Sequence, residues 1–258
     1  MRVFDFTHAI VRKPAPSVVD GLRADMSQTP DYPTLCVEHA AYIAALRGLG
    51  LEVTVLPQLP AFPDSVYVED PALTFPEGAI VLRPGAPSRT AEAEHMRAAL
   101  ASRFPKVLEL APDELTDGGD VLVMPQAVLI GLSARTTTKG AAALKARLAE
   151  LGRDARICQT PPGVLHFKTV VSLVAEDAVL ATPAMAANDF FPGYRIFTTP
   201  DGEDAAANAV RINDTMLVGA EYPRTVDMLT KAGIAVQALS VRETAKLDAG
   251  LSCMSLRW

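Results

Sequence analysis

Apolar and polar positions along the 258-residue chain follow one recurring order. An apolar hairpin comes first, an amphipathic helix follows, and a short apolar strand ends the unit. In the first unit the hairpin arms lie at 65–75 and 78–84, the helix at 90–100 and the final strand at 106–110. The order occurs five times with a period of about 50 residues. The pattern therefore predicts an α/β chain of repeated ββαβ units.

Three further units are continuous in the sequence. Their hairpins are predicted at 119–133, 166–183 and 208–220. Their final strands are predicted at 155–159, 194–200 and 234–240. A helix is expected between hairpin and strand each time, although the third unit offers only a short one at 184–189.

The fifth unit is divided between the two ends of the chain. Its first strand is predicted at 252–258, its second at 3–14, its helix at 34–50 and its last strand at 51–57. A unit shared in this way closes a ring and removes exposed sheet edges. We therefore expect one propeller domain over residues 1–258, with no linker and with the terminal strands paired.

A doubly wound parallel sheet also alternates strands and helices. Two features argue against it. Each helix here follows a hairpin, and no G-x-G-x-x-G follows a strand. The nearest match, DGGD at 117–120, has the wrong spacing for a dinucleotide.

Charge and cysteine content restrict the function classes. A net charge of −6 has the wrong sign for nucleic acid. Asp5 interrupts any signal peptide, and no stretch of about 20 apolar residues spans a membrane. Three scattered cysteines favour no disulfide scaffold and no structural zinc. These features predict a cytoplasmic protein with a small-molecule partner.

Polar residues recur where the first strand of each hairpin begins. They are Glu69 and Asp70, Asp117 and Asp120, His166, Asn208, and Cys253. Together they supply a thiol, an imidazole and several carboxylates, which are the parts of an activated nucleophile and its proton shuttle. Cys36 and Cys158 are expected to be buried apolar thiols, and His39 and His95 to be surface residues.

An acidic cluster lies in an otherwise strand-forming segment. Asp64, Glu69 and Asp70 flank Val66 to Val68, and buried carboxylates need cationic partners. A cavity lined by them and by Asp117 would prefer a guanidinium, which carboxylates bind in a bidentate manner. Arg89 and Arg135 each follow a hairpin and are interpreted either as surface residues or as partners of an α-carboxylate.

Seven ordered segments carry a family resemblance. They are FPDSVYVED, RPGAPSR, DGGDVL, IGLSART, LHFKT, AAN and GLSCMSL. In this order and at these distances they resemble the dimethylarginine dimethylaminohydrolases of the guanidino-group-modifying superfamily. The resemblance covers nearly the whole chain. It implies a five-bladed α/β propeller, the pentein fold, and hydrolysis of Nω-methylated arginines to citrulline and a methylamine.

The resemblance also implies residue roles. The catalytic positions are Cys253 as nucleophile, His166 as general acid and base, and Asp117 as acidic partner. Some members have Glu where this chain has Asp117, which sets the carboxylate about a methylene further back. The substrate-binding positions are Asp70 with Glu69 for the guanidinium, Asp64 for the α-amino group, Arg89 and Arg135 for the α-carboxylate, and Leu22 in a lid.

Two alternative functions stay open at this stage. An arginine or agmatine deiminase shares the ring and the Cys/His pair, but the arginine-catabolic type carries His-x-Asp, where this chain has His166, Phe167 and Lys168. That type also has a large helical insertion for which this chain has no room. A ribosome-associated binding protein with this fold would need neither Cys253 nor His166. The expected enzyme uses no cofactor and no metal, and whether it is a homodimer is left open.

Overall fold

The computed structural model describes residues 2–258. In chain order its strands are β1 (His8–Arg12), β2 (Glu52–Leu56), β3 (Ala72–Phe75), β4 (Gly78–Val81), β5 (Val107–Glu109), β6 (Val121–Val123), β7 (Val128–Leu132), β8 (Ala155–Gln159), β9 (Val171–Ala175), β10 (Ala178–Ala181), β11 (Arg195–Thr198), β12 (Val210–Ile212), β13 (Thr215–Gly219), β14 (Ala235–Leu239) and β15 (Leu256–Arg257). Its α-helices are α1 (Tyr32–Gly48), α2 (Glu92–Ala101), α3 (Thr138–Glu150), α4 (Pro183–Ala186), α5 (Pro223–Lys231) and α6 (Arg242–Ala245).

These strands form five three-stranded sheets, each with the same topology. In the sheet of β3, β4 and β5, the first pair is antiparallel and the second pair is parallel. Helix α2 makes the crossover between the two parallel strands. The other four sheets repeat this arrangement with α3, α4, α5 and α1. The predicted five-bladed ββαβ propeller is confirmed.

The two ends of the chain meet in one sheet. Strand β15 pairs antiparallel with β1, with Ala9 opposite Arg257 and Ile10 opposite Leu256. The Trp258 indole stacks on the His8 ring with centroids 5.4 Å apart. The predicted strand 252–258 is too long, because residues Leu251–Met254 form a short 3-10 helix instead. There the Cys253 carbonyl accepts a hydrogen bond from the Glu69 amide, at 3.2 Å, rather than from a sheet neighbour.

Apolar faces of the helices pack on the sheets as their periodicity predicts. In α2 and just beyond it, Met96, Leu100 and Phe104 are buried, and in α3 so are Leu144 and Leu148. His39 was expected on the surface, and this prediction is wrong. It is 3% exposed on the packed face of α1, where burial lowers its pKa to about 4.

The first strand of each sheet faces a central channel. Residues from β3, β6, β9, β12 and β15 line one cavity at the middle of the ring. Within residues 2–258, no helix is both long and apolar enough to cross a membrane.

Candidate active site

Each polar position singled out in the sequence lies in a turn just before a first strand, and not in the strand itself. Asp117 precedes the short 3-10 helix Gly118–Asp120, His166 precedes Phe167–Thr169, and Cys253 lies within Leu251–Met254. A turn releases the side chain from the alternation of a strand. These side chains can therefore converge at the end of the ring where the first strands begin.

His166 and Asp117 form the central pair of this site. The imidazole Nε2 lies 2.9 Å from Asp117 Oδ2, and both residues are buried. The other carboxylate oxygen, Oδ1, accepts a hydrogen bond from the Gly85 amide at 2.6 Å. Burial alone would lower the pKa of His166, but Asp70 and the hydrogen-bonded Asp117 raise it to about 9. The imidazole is therefore a cation at neutral pH.

Asp120 holds the turn that carries His166. Its Oδ1 accepts a hydrogen bond from the Phe167 amide at 2.8 Å, and its Oδ2 accepts one each from Ser133 and Thr136 at 2.6 Å. All its contacts are thus structural. Asp120 positions His166 and does not face a substrate.

Asp70 lies beside the imidazole. Its Oδ1 accepts a hydrogen bond from the Gly119 amide at 3.0 Å, and its Oδ2 pairs with Arg89 Nη1. Burial would raise the pKa of Asp70, but Arg89 and His166 together lower it. The carboxylate therefore stays ionised although it is buried.

Two glycines make this close packing feasible. A Cβ on Gly119 would lie 2.5 Å from His166 Nδ1 and 3.0 Å from Asp70 Oδ1. A Cβ on Gly250 would lie 2.5 Å from the Asn208 side chain, which itself contacts Cys253. The glycines in DGGD and in GLSC therefore mark the site in the sequence as clearly as its polar residues do.

Cys253 is surrounded by polar groups at the same end of the ring. Asn208 Nδ2 lies 3.6 Å from Cys253 Sγ. The backbone carbonyl of Cys253 accepts a hydrogen bond from the Glu69 amide at 3.2 Å. Burial, and then the charges of Glu69 and Asp70, raise the pKa of the Cys253 thiol to about 11. The resting site thus holds a protonated thiol.

Glu69 lies beneath this cluster and is held by residues to which no function was given in the sequence analysis. Its Oε1 pairs with Lys168 Nζ at 2.6 Å and with Arg257 Nη2 at 3.1 Å, and its Oε2 accepts from Ser252 at 3.1 Å. With these partners Glu69 is a structural anion of the site. In the sequence, the signal that could have indicated Lys168 and Ser252 as site residues is their position: Lys168 lies two residues after His166, and Ser252 directly precedes Cys253.

Arg89 is more deeply engaged than an arginine at a cavity mouth. It is 4% exposed, and its Nε and Nη2 pair with Glu92 at 3.1 and 2.8 Å while Nη1 holds Asp70. Its Nη2 also donates to the backbone carbonyls of Asp64 and Tyr67. The surface alternative for Arg89 is therefore wrong, since its guanidinium is buried among carboxylates.

Asp64, Leu22 and Arg135 lie at the outer edge of the cluster. Asp64 is buried and accepts a hydrogen bond from the Leu22 amide at 3.0 Å, while Leu22 itself is 40% exposed. The Arg135 guanidinium is near enough to lower the pKa of Asp64, although burial raises that pKa overall. Within residues 2–258 the Arg135 side chain has no hydrogen bond or ion pair. Arg135 is thus the available cation at this edge.

Asp70, Asp117 and His166 also offer ligand-type atoms within 4.8 Å of one another. All three side chains already have partners. Asp70 is bonded to Arg89 and to the Gly119 amide, and Asp117 and His166 are hydrogen-bonded to each other. The arrangement is fully accounted for as a proton-transfer pair next to an ion pair.

A five-bladed ring with a thiol and a carboxylate-paired histidine at one end defines a class of guanidine-modifying enzymes. The family model for arginine deiminase matches residues 58–202, more than half of the chain. The N-terminal domain of ArgZ, a cyanobacterial arginine dihydrolase, superposes with a TM-score of 0.85 over 97% of both chains at 16% identity, which shows the shared fold.

Two relatives define the family within this class. A Pseudomonas aeruginosa N(G),N(G)-dimethylarginine dimethylaminohydrolase is 36% identical over 98% of this chain and 100% of its own, and one from Streptomyces coelicolor is 30% identical over 96% of both. A cysteine-to-serine mutant of the Pseudomonas enzyme, complexed with citrulline, superposes with a TM-score of 0.95 over 99% of this chain and 100% of that chain, at 36% identity. This chain belongs to the dimethylarginine dimethylaminohydrolase family, as the motifs predicted.

Proposed function

We propose that this protein hydrolyses Nω-methylated arginine to citrulline and a methylamine through a covalent intermediate on Cys253. The observation that carries the proposal is the convergence of a thiol, an imidazole bonded to Asp117, and the carboxylate of Asp70 at one end of the ring. Membership of the family supports the same chemistry.

The electrostatics of the resting site favour a cationic substrate. Glu69 and Asp70 help raise the pKa of the Cys253 thiol to about 11, so the thiol is protonated at pH 7. A guanidinium bound next to Asp70 would offset these negative charges and lower that pKa. The thiol therefore releases its proton to solvent when the substrate binds, since His166 is already protonated, and the free enzyme keeps an unreactive thiol.

The reaction then proceeds in two steps. The Cys253 sulfur forms a bond to the guanidinium carbon, and the bond from that carbon to the methylated nitrogen breaks as His166 donates its proton to the leaving amine. The neutral imidazole next removes a proton from water, whose oxygen bonds to the same carbon. The carbon–sulfur bond breaks, citrulline leaves, and Cys253 regains a proton.

Asp117 and Asp70 have different roles in this mechanism. Asp117 orients the imidazole and stabilises its charged form through the 2.9 Å hydrogen bond. Asp70, held by Arg89 and the Gly119 amide, faces the guanidinium with Glu69 behind it. The methylated nitrogen then points away from the carboxylates and toward His166.

The amino-acid end of the substrate is assigned to the outer edge of the site. Asp64 binds the α-ammonium group and Leu22 belongs to the segment that covers it. Arg135 binds the α-carboxylate, because its guanidinium has no ion pair within residues 2–258. Arg89 joins it through the second N–H of Nη1, while its other contacts hold Asp70 and Glu92.

The test is a substrate panel with citrulline and amine release as readouts. We expect asymmetric dimethylarginine or monomethylarginine to give the highest kcat/KM, with arginine and agmatine far lower. Agmatine lacks the α-carboxylate, whose loss costs about 1.5–3 kcal/mol, or roughly 10- to 150-fold. A higher kcat/KM on arginine or agmatine than on the methylated arginines would contradict the proposal and indicate a deiminase instead. Chelators should leave the activity unchanged.

The proposal includes the setting in which this enzyme works. All three cysteines are free, and a thiol nucleophile persists in a reducing cytoplasm. A homodimer, which the sequence analysis left open, is tested by light scattering on the purified protein at several concentrations.

A further inference from the structure

The cavity at the middle of the ring, lined by the first strands, is separate from the cluster around Cys253. It has a volume of about 410 Å³, within the usual range for small-molecule sites. Its walls come from the first strands and the turns that follow them, as in Phe75, Leu173 and Trp258. Cys253, His166, Asp70 and Asp117 do not line it. The cavity therefore opens toward the other end of the ring.

Glu69, Lys168, Ser252 and Arg257 are the polar residues where the cavity approaches the active site. Lys168 and Arg257 are both largely buried and share the single carboxylate of Glu69. These three charges sum to one positive charge, and the side chains of both cations are 12% exposed. A buried charge of this kind is stabilised only by a counter-ion.

The walls carry the same excess. Among the lining residues there are five cations and three carboxylates, and one of the cations, Arg2, also pairs with Asp214 just outside the lining, at 2.8 Å. Arg211 bonds only to the backbone carbonyls of Asn213 and Val174, and within residues 2–258 it has no carboxylate partner. With Asp214 counted, the wall keeps one positive charge in excess.

One buried side chain in the wall lacks a partner. The hydroxyl of Ser172, a residue that is 5% exposed, has no hydrogen bond within residues 2–258. Lys168 Nζ carries three N–H groups and has one partner, Glu69 Oε1. Both can bond to oxygen atoms of a ligand inside the cavity.

We propose that this cavity is a second ligand site, which takes a small monocarboxylate with an apolar body. The carboxylate would neutralise the excess positive charge near Lys168 and Arg211, and the body would lie on Phe75 and Leu173. Such a ligand differs from the amino-acid substrate, which carries a second charged group and a polar end. The site is independent of the proposed catalytic function.

The chain has a built-in reporter for this test, because its single tryptophan, Trp258, lines the cavity. We would titrate the purified protein with 3-phenylpropionate and follow tryptophan fluorescence. We expect a saturable change, and at least about tenfold weaker binding of 3-phenylpropanamide, which has the same shape without the charge. No saturable change up to about 10 mM, or equal affinity for the two probes, would overturn the proposal.

Two variants locate the binding charge. Lys168→Gln and Arg211→Gln each keep a polar side chain, and we expect at least one of them to weaken 3-phenylpropionate binding about tenfold or more. Lys231→Gln, on the exposed face of α5, is the matched control and should bind as the parent does. Circular dichroism shows whether each variant is folded. Parent-like binding by both cavity variants would overturn the proposal.

Discussion

At the scale of single residues, we propose that the function depends on Cys253 and His166 acting as one unit. Cys253→Ser and His166→Ala should each lower citrulline release by at least about a thousandfold, because the nucleophile and its proton donor are both needed for each turnover. Melting temperatures should stay near that of the parent. Cys36→Ser, in α1, is the control and should keep full activity. Comparable turnover by Cys253→Ser would remove the covalent mechanism.

Substitutions of Arg135 and Arg89 should have different effects, one on substrate binding and the other on stability. Arg135→Gln should raise KM about 10- to 150-fold with little change in stability, since this guanidinium has no protein partner to lose within residues 2–258. Arg89→Gln should lower the free energy of unfolding by about 3 kcal/mol or more, because Asp70 and Glu92 would be left buried without their cation. Steady-state kinetics measure KM, and urea unfolding measures the free energy of unfolding, for each variant. Equal effects on stability would contradict this division of roles.

His166 also makes stability depend on pH. Its pKa is about 9 in the folded chain, against the ordinary value of 6.5 for a solvated imidazole, so the folded state binds the proton more tightly. This contribution, up to about 3 kcal/mol, is fully present below about pH 6.5 and is lost as the pH rises through about 9. The free energy of unfolding should fall over this range in the parent and stay flat in His166→Asn. His95→Asn, an exposed control, should behave as the parent does.

At the scale of elements, the residues of the candidate active site lie in the turns that precede the first strands. Gly119→Ala would push a methyl group against His166 Nδ1 and Asp70 Oδ1, and we expect kcat to fall at least about tenfold while the fold survives. Gly48→Ala is a matched control, because a Cβ there meets nothing within 4 Å; it should leave kcat unchanged. A parent-like kcat for Gly119→Ala would show that the imidazole is not held as tightly as the structure indicates.

The same turns mark the limit of prediction from the sequence. The period of about 50 located all five units and all five crossover helices, because burial of one helix face repeats every turn or so. It assigned residues 65–71, 119–120 and 252–254 to strands, since their apolar residues resemble strand patterns. Long-range partners decide these segments instead: the Glu69 amide bonds to the Cys253 carbonyl, 184 positions away. The partners of Glu69, which are Lys168, Ser252 and Arg257, lie 99 or more positions away and could not be predicted for the same reason.

At the scale of the whole molecule, we propose that residues 1–258 form a single domain that unfolds cooperatively. The pairing of β1 with β15 joins the two ends of the chain in one blade, so this blade forms only when both ends are in place. Calorimetry should give one transition with equal calorimetric and van't Hoff enthalpies. Deletion of Leu256–Trp258 should abolish that transition or lower its midpoint strongly. Two resolved transitions in the intact chain would contradict the proposal.

The most direct test of the central claim is the identity of the residue that bonds to the substrate carbon. A relative's histidine-to-glycine variant is known as an adduct with S-methyl-L-thiocitrulline. The matching experiment here incubates His166→Gly with the same compound, whose methylthio group leaves without a proton donor, and maps the modified peptide by mass spectrometry. We predict one stable adduct, on Cys253. No adduct, or an adduct on Cys36 or Cys158, would contradict the account.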